Sequence, residues 1–214
     1  MIVKDKLPYT NNMKREIVIY GCGGHARSIV NSLLRNNPAE KILLVDDNAR
    51  DNESIMGVSC MKENGSQLSH FIVGIGDNTV RTRIYTEKIN AGQVPVNVKA
   101  KSSNIAFNSQ FGEGNFVAEF AYVGPEAKIG NNCILNTGSI IEHEVFVGDN
   151  VHVAPHATVC GRCNIGNNVF VGAGAIVIDK INVCDTAIIG AGAVVIHDII
   201  ESGVYVGNPA RRIR

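Results

Sequence analysis

The chain has 214 residues, with Lys+Arg 20 against Asp+Glu 20 and a formal net charge of zero. That length can bury the core of one or two domains, the 45% hydrophobic share argues against disorder, and the neutral balance argues against non-specific nucleic-acid binding. No run of about 18 apolar residues occurs, so no transmembrane helix is expected.

Residues 1–14 mix Lys4, Asp5, Lys6 and Pro8 without an apolar stretch, and read as a flexible extension rather than a secretory signal. With no export signal, the six cysteines read as thiols of a cytoplasmic protein. Residues 15–100 then alternate strand and helix patterns. Glu16–Tyr20 is a short apolar run, as in a buried strand. A glycine cluster follows, then a helical stretch from about Ala26 to Arg35 with Ile29, Val30, Leu33 and Leu34 on one face. Lys41–Val45 and Phe71–Ile75 read as further strands, and about Thr79 to Asn90 as a second helix. The β-α-β order implies a small, Rossmann-like parallel sheet with right-handed crossovers.

The grammar changes near residue 100. Residues 1–100 carry 13 basic and 10 acidic residues, whereas 101–214 carry 7 and 10. From Ile105 to Val195 every sixth residue is apolar, 16 hexads without an insertion. Small residues such as Ala121, Cys133, Ser139, Ala157 and Ala175 recur four positions later. Neither a helix nor a plain strand has this period. A hexapeptide repeat builds a parallel β-helix in which each coil buries its aliphatic residue against the next. Residues 101–214 are therefore expected to form an all-β parallel β-helix with a C-terminal tail.

Three constellations carry chemistry. Glu142-His143-Glu144 places three ionisable groups together at an outward corner of a repeat that is otherwise poor in charge. Histidine can take and release a proton near neutrality, and a neighbouring carboxylate can fix its tautomer. Stacking by 18 residues puts Glu144 between Glu126 and Arg162, so that Arg162 is expected to pair with Glu144. Gly21-Cys22-Gly23-Gly24-His25-Ala26 follows a strand and opens a helix, with Asp46 closing the next strand. Read alone it suggests a dinucleotide site, but a sheet region of about 85 residues is short for the full two-half fold. Cys160-Gly161-Arg162-Cys163 read alone suggests redox or zinc chemistry, yet Cys163 holds the inward position of its hexad and no second such pair exists, so core packing is the better reading.

The hexads, the Glu-His-Glu corner, the Gly-Gly-His loop and the tail Gly203–Arg211 together resemble the left-handed β-helix acetyltransferases. The match is to the branch that acetylates nucleotide-linked amino sugars or sialic acid, and most nearly to the N-acetyltransferases of UDP-4-amino sugars. The resemblance implies a cytoplasmic homotrimer without metal. It implies acetyl-CoA as co-substrate and a UDP- or dTDP-linked amino sugar as acceptor, for glycan synthesis. It makes His143 the general base and Glu144 its partner. It assigns Gly23, Gly24, His25, Asp46, Asp47, Gly76, Asn78 and Arg81 to the nucleotide sugar, with Arg81 serving a phosphate. It assigns Asn136, His152, Ala173 and Ala191 to acetyl-CoA. One side of six residues spans at most about 20 Å, so His143 and the Ala173/Ala191 groove are expected to meet only between subunits. The rivals are a sialic acid O-acetyltransferase and, from another class, a metal-dependent lyase of the β-helix carbonic-anhydrase type with His143, His152 and His156 as ligands.

Overall fold

The computed structural model describes residues 16–63 and 70–214, so the expected extension at 1–14 lies outside the described residues. The first unit is a parallel sheet of β1 (Glu16–Tyr20), β2 (Lys41–Val45), β4 (Val58–Met61), β5 (His70–Val73) and β6 (Val94–Pro95), with β3 (Ser54–Ile55) paired antiparallel to β4. The strand order is β3-β4-β2-β1-β5-β6. Helix α1 (Gly24–Asn36) links β1 to β2, and α2 (Asn78–Asn90) links β5 to β6. Asp77 caps α2 by accepting from the Val80 amide at 2.9 Å.

The second unit is the expected coil. Sixteen two-residue strands run from Asn104–Ile105 to Val194–Val195, each ending on its hexad residue. From Val117 to Val195 those residues are at most 4% exposed and stack into one core with the small inward residues. Strands pair in parallel with partners 18 residues away, Phe116 with Ile134 and Ile140 with Thr158 among them. This builds three faces. The first holds Phe116–Val117, Ile134–Leu135, His152–Val153, Phe170–Val171 and Ile188–Ile189; the second holds Ile140–Ile141 and Ile176–Val177; the third holds Phe146–Val147 and Asn164–Ile165.

The corners are set by left-handed backbone, again at 18-residue intervals. Asn108, Glu126, Glu144, Arg162 and Lys180 all have φ between 58° and 64° at the corner between the second and third faces. L-residues adopt this conformation singly at a modest cost, which turn geometry can impose.

The sheet unit docks on the first face. Ile29, Val30 and Leu33 of α1 share a buried cluster with Val98, Phe116, Ala118 and Ile134. Asn31 and Ser32 donate to Glu119 at 2.9 and 2.8 Å across the seam. One expectation is corrected here. Cys22 and Cys60 are joined by a disulfide, whereas Cys133, Cys160, Cys163 and Cys184 are free. The bond ties the glycine loop to β4.

Candidate active site

The glycine loop sits at the C-terminal edge of the parallel sheet, where open α/β sheets present ligand crevices. Asp46 braces it from inside, accepting from the Cys22 and Asn48 amides at 2.9 Å each. A Cβ on Gly23 or Gly24 would meet nothing within 4 Å. No internal contact therefore requires glycine there, and both leave the backbone open to an external group. No side chain caps the start of α1, so its amides are free to face an anion. His25 follows. Its Nε2 is buried and has no partner among the described residues, and its ring stands edge-on to Phe116 at 5.2 Å. Burial, then the fields of His152 and Arg81, lower its pKa to about 3, so the ring is neutral. Beside the loop a cavity of about 200 Å³ is lined by Tyr20, Asp46, Asp47, Asn48, Arg83 and Lys88.

Gly76, Asn78 and Arg81 occupy the seam, and one of them must be reassigned. Arg81 is 1% exposed. Its guanidinium donates to the carbonyls of Asn132 (3.0 Å), Asn150 (2.7 Å), Gly76 (3.1 Å) and Ile75 (3.4 Å) and to Asn78 Oδ1 (2.8 Å). Those bonds occupy its fork, so it has no donor to spare for a substrate phosphate. Asn78 in turn donates to the Asn168 and Val169 carbonyls. Arg81 is thus a strut between the sheet unit and the coil. A sequence shows an arginine on a helix but not that the helix face is covered.

His152 lies on the first face at the same seam. Its Nδ1 donates to the Gly76 carbonyl at 3.1 Å, which fixes the tautomer. Nε2 then accepts from Asn136 Nδ2 at 3.2 Å, and Asn136 Oδ1 is held by the Thr137 amide at 2.8 Å. Burial, then the charge of Arg81, lowers its pKa to about 4. His152 borders a cavity of about 740 Å³ lined also by Gly76, Asn78, Thr82, Phe170 and Ile188. Phe170 and Ile188 had no role in the sequence reading. Their signal was the outward column of the first face, Phe116, Ile134, His152, Phe170 and Ile188, which is apolar at every position but His152. Ala173 and Ala191 stand exposed at the next corner beside Gly174 and Gly192, a ledge without large side chains.

His143 is at a different corner, between the second and third faces. Its Nδ1 lies 3.0 Å from Glu144 Oε2. A carboxylate there holds the proton on Nδ1 and leaves Nε2 with its lone pair. The ring stacks over Gly161, where a Cβ would come within 2.6 Å of Cε1 and Nε2. Arg162 does not pair with Glu144 as expected. It bonds the Asp179 carboxylate at 3.0 and 3.1 Å, because residue 179 stands in the column beside it. One chain therefore keeps His143 apart from His152, which lies on the first face, and from His156, at the corner that carries Ala173 and Ala191. Among the described residues no three His, Cys, Asp or Glu side chains converge as for a metal ion.

Residues 16–88 match the family of the PglD N-terminal domain. GDP-perosamine N-acetyltransferase of Escherichia coli O157:H7 is 25% identical over 155 residues, 68% of each chain. PerB of Caulobacter crescentus, solved with CoA and GDP-perosamine, superposes with a TM-score of 0.85 at 29% identity, covering 93% of this chain and 97% of that one. The chain is a hexapeptide-repeat sugar N-acetyltransferase. The acetyltransferase also shares its fold with the acetyltransferase domain of PglB from Neisseria gonorrhoeae, solved with acetyl coenzyme A, at a TM-score of 0.87 and 23% identity over 94% and 100% of the two chains. No helix of its described residues is long and apolar enough to cross a membrane.

Proposed function

We propose that the acetyltransferase transfers the acetyl group of acetyl-CoA to the amine of a GDP-linked amino sugar. The Escherichia coli relative is a GDP-perosamine N-acetyltransferase and PerB binds GDP-perosamine, which favours GDP over the UDP or dTDP of the sequence reading. The open glycines, the uncapped α1 and the unpartnered His25 Nε2 support the loop as the diphosphate and sugar seat. The 200 Å³ cavity with Asp46 and Asp47 supports the nucleoside beside it.

One observation carries the mechanism: the Glu144 carboxylate at 3.0 Å from Nδ1 leaves His143 Nε2 as the free base. Nε2 takes a proton from the amine as nitrogen attacks the thioester carbon. The C–N bond forms, the C–S bond breaks, and the imidazolium returns a proton to the leaving thiolate. Backbone amides stabilise the oxyanion. His152, neutral and held by Asn136 and Gly76, serves as a fixed polar wall of the acetyl-CoA side rather than as a base. The Ala173/Ala191 ledge admits the thiol arm.

The reading requires a homotrimer, because the His143 corner and the first-face cavity belong to one site only if different subunits supply them. Acetyl-CoA places the reaction in the cytoplasm. The test is a thiol-release assay with acetyl-CoA and GDP-, UDP- and dTDP-linked amino sugars, in wild type and in His143→Ala. Release with the GDP-linked amine, lost by about 10²-fold or more in the variant, is expected. Full activity of the variant would overturn the mechanism; release with sialic acid alone would overturn the substrate.

A further inference from the structure

Two cavities flank the first turns of α2, and one residue lines both. Thr79 and Thr82 border the 740 Å³ cavity beside His152, whereas Val80 and Ile84 border the 200 Å³ cavity beside Asp46 and Asp47. Arg83 follows Thr79 by four residues and Val80 by three, so helix geometry sets it between the two stripes, and it lines both cavities. We propose that Arg83 binds the diphosphate of the nucleotide sugar, the phosphate role that buried Arg81 leaves open. The inference deepens the proposed function and rests on it: a nucleoside in the smaller cavity and an amine that must reach the His152 side are joined by that diphosphate.

Donor counting singles out this side chain. Lys88 is the other cation among the described residues that line either cavity. It is 6% exposed, and its ammonium donates to both Glu63 oxygens at 2.7 Å and to Glu87 Oε1 at 3.3 Å. Its three donors are thus all occupied. Arg83 is 69% exposed along its side chain and makes no hydrogen bond among the described residues; its Nη1 lies 3.9 Å from Glu87 Oε2. The carboxylates nearby are largely engaged. Asp46 accepts from the Cys22 and Asn48 amides, Glu63 is held by Lys88, and Glu87 is shared between Lys88 and Arg83. Asp47 keeps an open carboxylate, an acceptor suited to ribose hydroxyls.

Topology brings the second set of donors to the same place. β1 pairs with β5, and the connections leave them in opposite directions, α1 towards β2 and α2 towards β6. The crevice between them is the switch point of the sheet, where open α/β folds take ligands. The glycine loop follows β1, and Gly21 lines the smaller cavity with Arg83. Loop amides and the uncapped start of α1 supply neutral donors; Arg83 supplies the positive charge from α2. Its planar fork matches two phosphate oxygens at once. The long contact with Glu87, four residues on along an exposed helix face, is weak, and a phosphate that offers more charge displaces it. Arg83 thereby fixes where the diphosphate crosses from one cavity to the other, and with it the position of the sugar.

The experiment measures Kd by calorimetry for guanosine, GDP, GDP-perosamine and CoA, with full-length wild type, Arg83→Ala and Arg83→Lys. In Arg83→Ala we expect Kd for GDP and GDP-perosamine to rise about tenfold or more, while Kd for guanosine, which has no phosphate, stays within about twofold. Kd for CoA, which carries phosphates of its own, should also stay within about twofold. Arg83→Lys should recover part of the loss, because an ammonium keeps the charge without the fork. The thermal midpoint of Arg83→Ala should match wild type, since the side chain is exposed. Unchanged GDP affinity in Arg83→Ala overturns the proposal. So does an equal loss for guanosine, which marks a change of cavity shape, or a loss confined to CoA, which gives Arg83 to the other phosphate ligand. Wild type that binds GDP yet releases no thiol from acetyl-CoA and GDP-perosamine would count against the function alone, and the Arg83 comparison would still stand. Wild type that binds no GDP would overturn both.

Discussion

At His143 the stacking neighbour matters as much as the charged partner. Gly161 leaves room for the ring, so Gly161→Ala places a methyl 2.6 Å from its Cε1 and Nε2. Turnover should fall by about tenfold or more, since a displaced base loses its alignment with the acceptor. The circular dichroism spectrum should not change, because the atoms nearest the new methyl belong to the His143 and Asp179 side chains, not to the coil backbone. A normal kcat in this variant would show that the ring does not need that position. His25 and His152 make the opposite case. Both are neutral through the physiological range, with pKa values lowered to about 3 and about 4. The unfolded chain binds their protons near pH 6.5, the folded chain only far below. Their contribution to stability is therefore fully present above about pH 6.5 and is lost as pH falls towards 4 and then 3. Urea unfolding between pH 7 and 4 should show this decline, and His152→Asn should flatten part of it. The contact of His143 with Glu144 was legible because three ionisable residues interrupt an apolar repeat. The burial of Arg81 was not, since helix periodicity does not report what covers a face.

Among the elements, the hexad strands were legible one by one, because a period of six with aliphatic residues has no other home. The short hairpin of β3 and β4 was not, as strands of two and four residues leave no period to read. That hairpin carries Cys60, and so the disulfide to Cys22 escaped notice as well. A pairing across 38 residues restricts the unfolded chain by about 4 kcal/mol in the loop-entropy model. Cys60→Ser should lower the thermal midpoint and loosen the glycine loop. Thiol titration of denatured protein without reductant should count four groups, against six after reduction. Six in both states would mean that the pair is reduced in the protein as purified, the usual condition in the cytoplasm. Arg81 makes the second element-scale case. Arg81→Met leaves the carbonyls of Asn132, Asn150 and Gly76 without their donor, each bond to a charged group being worth about 1.5–3 kcal/mol. Calorimetry should show a lower midpoint, with the sheet unit melting apart from the coil.

For the whole molecule, the separation of the His143 corner from the first-face cavity means that the proposed mechanism calls for a site assembled between subunits. Light scattering should give three copies per particle. Co-refolding equal amounts of His143→Ala and His152→Ala chains should restore roughly a quarter of the wild-type sites, since one subunit of a cyclic pair brings an intact base and its neighbour an intact cavity. No recovery would place both histidines in the same subunit's site. The change of period and of charge near residue 100 was legible, although Val98–Lys99 already pairs with Phe116–Val117 of the coil. The docking of the sheet unit was not, because it depends on single contacts such as Asn31 and Ser32 with Glu119.

The uniform 18-residue pairing also makes the coil a gear with three teeth. Adding six residues beyond the site, for instance after Val177, would keep every aliphatic residue inward yet turn all later residues by one face. The Ala191 ledge would leave its corner although the core stayed packed. Adding eighteen would restore the phase and only lengthen the rod. Length variation in such a chain is thus quantised: insertions of a full coil are silent in register, whereas a single hexad, harmless to the core, is lethal to any site written across its columns.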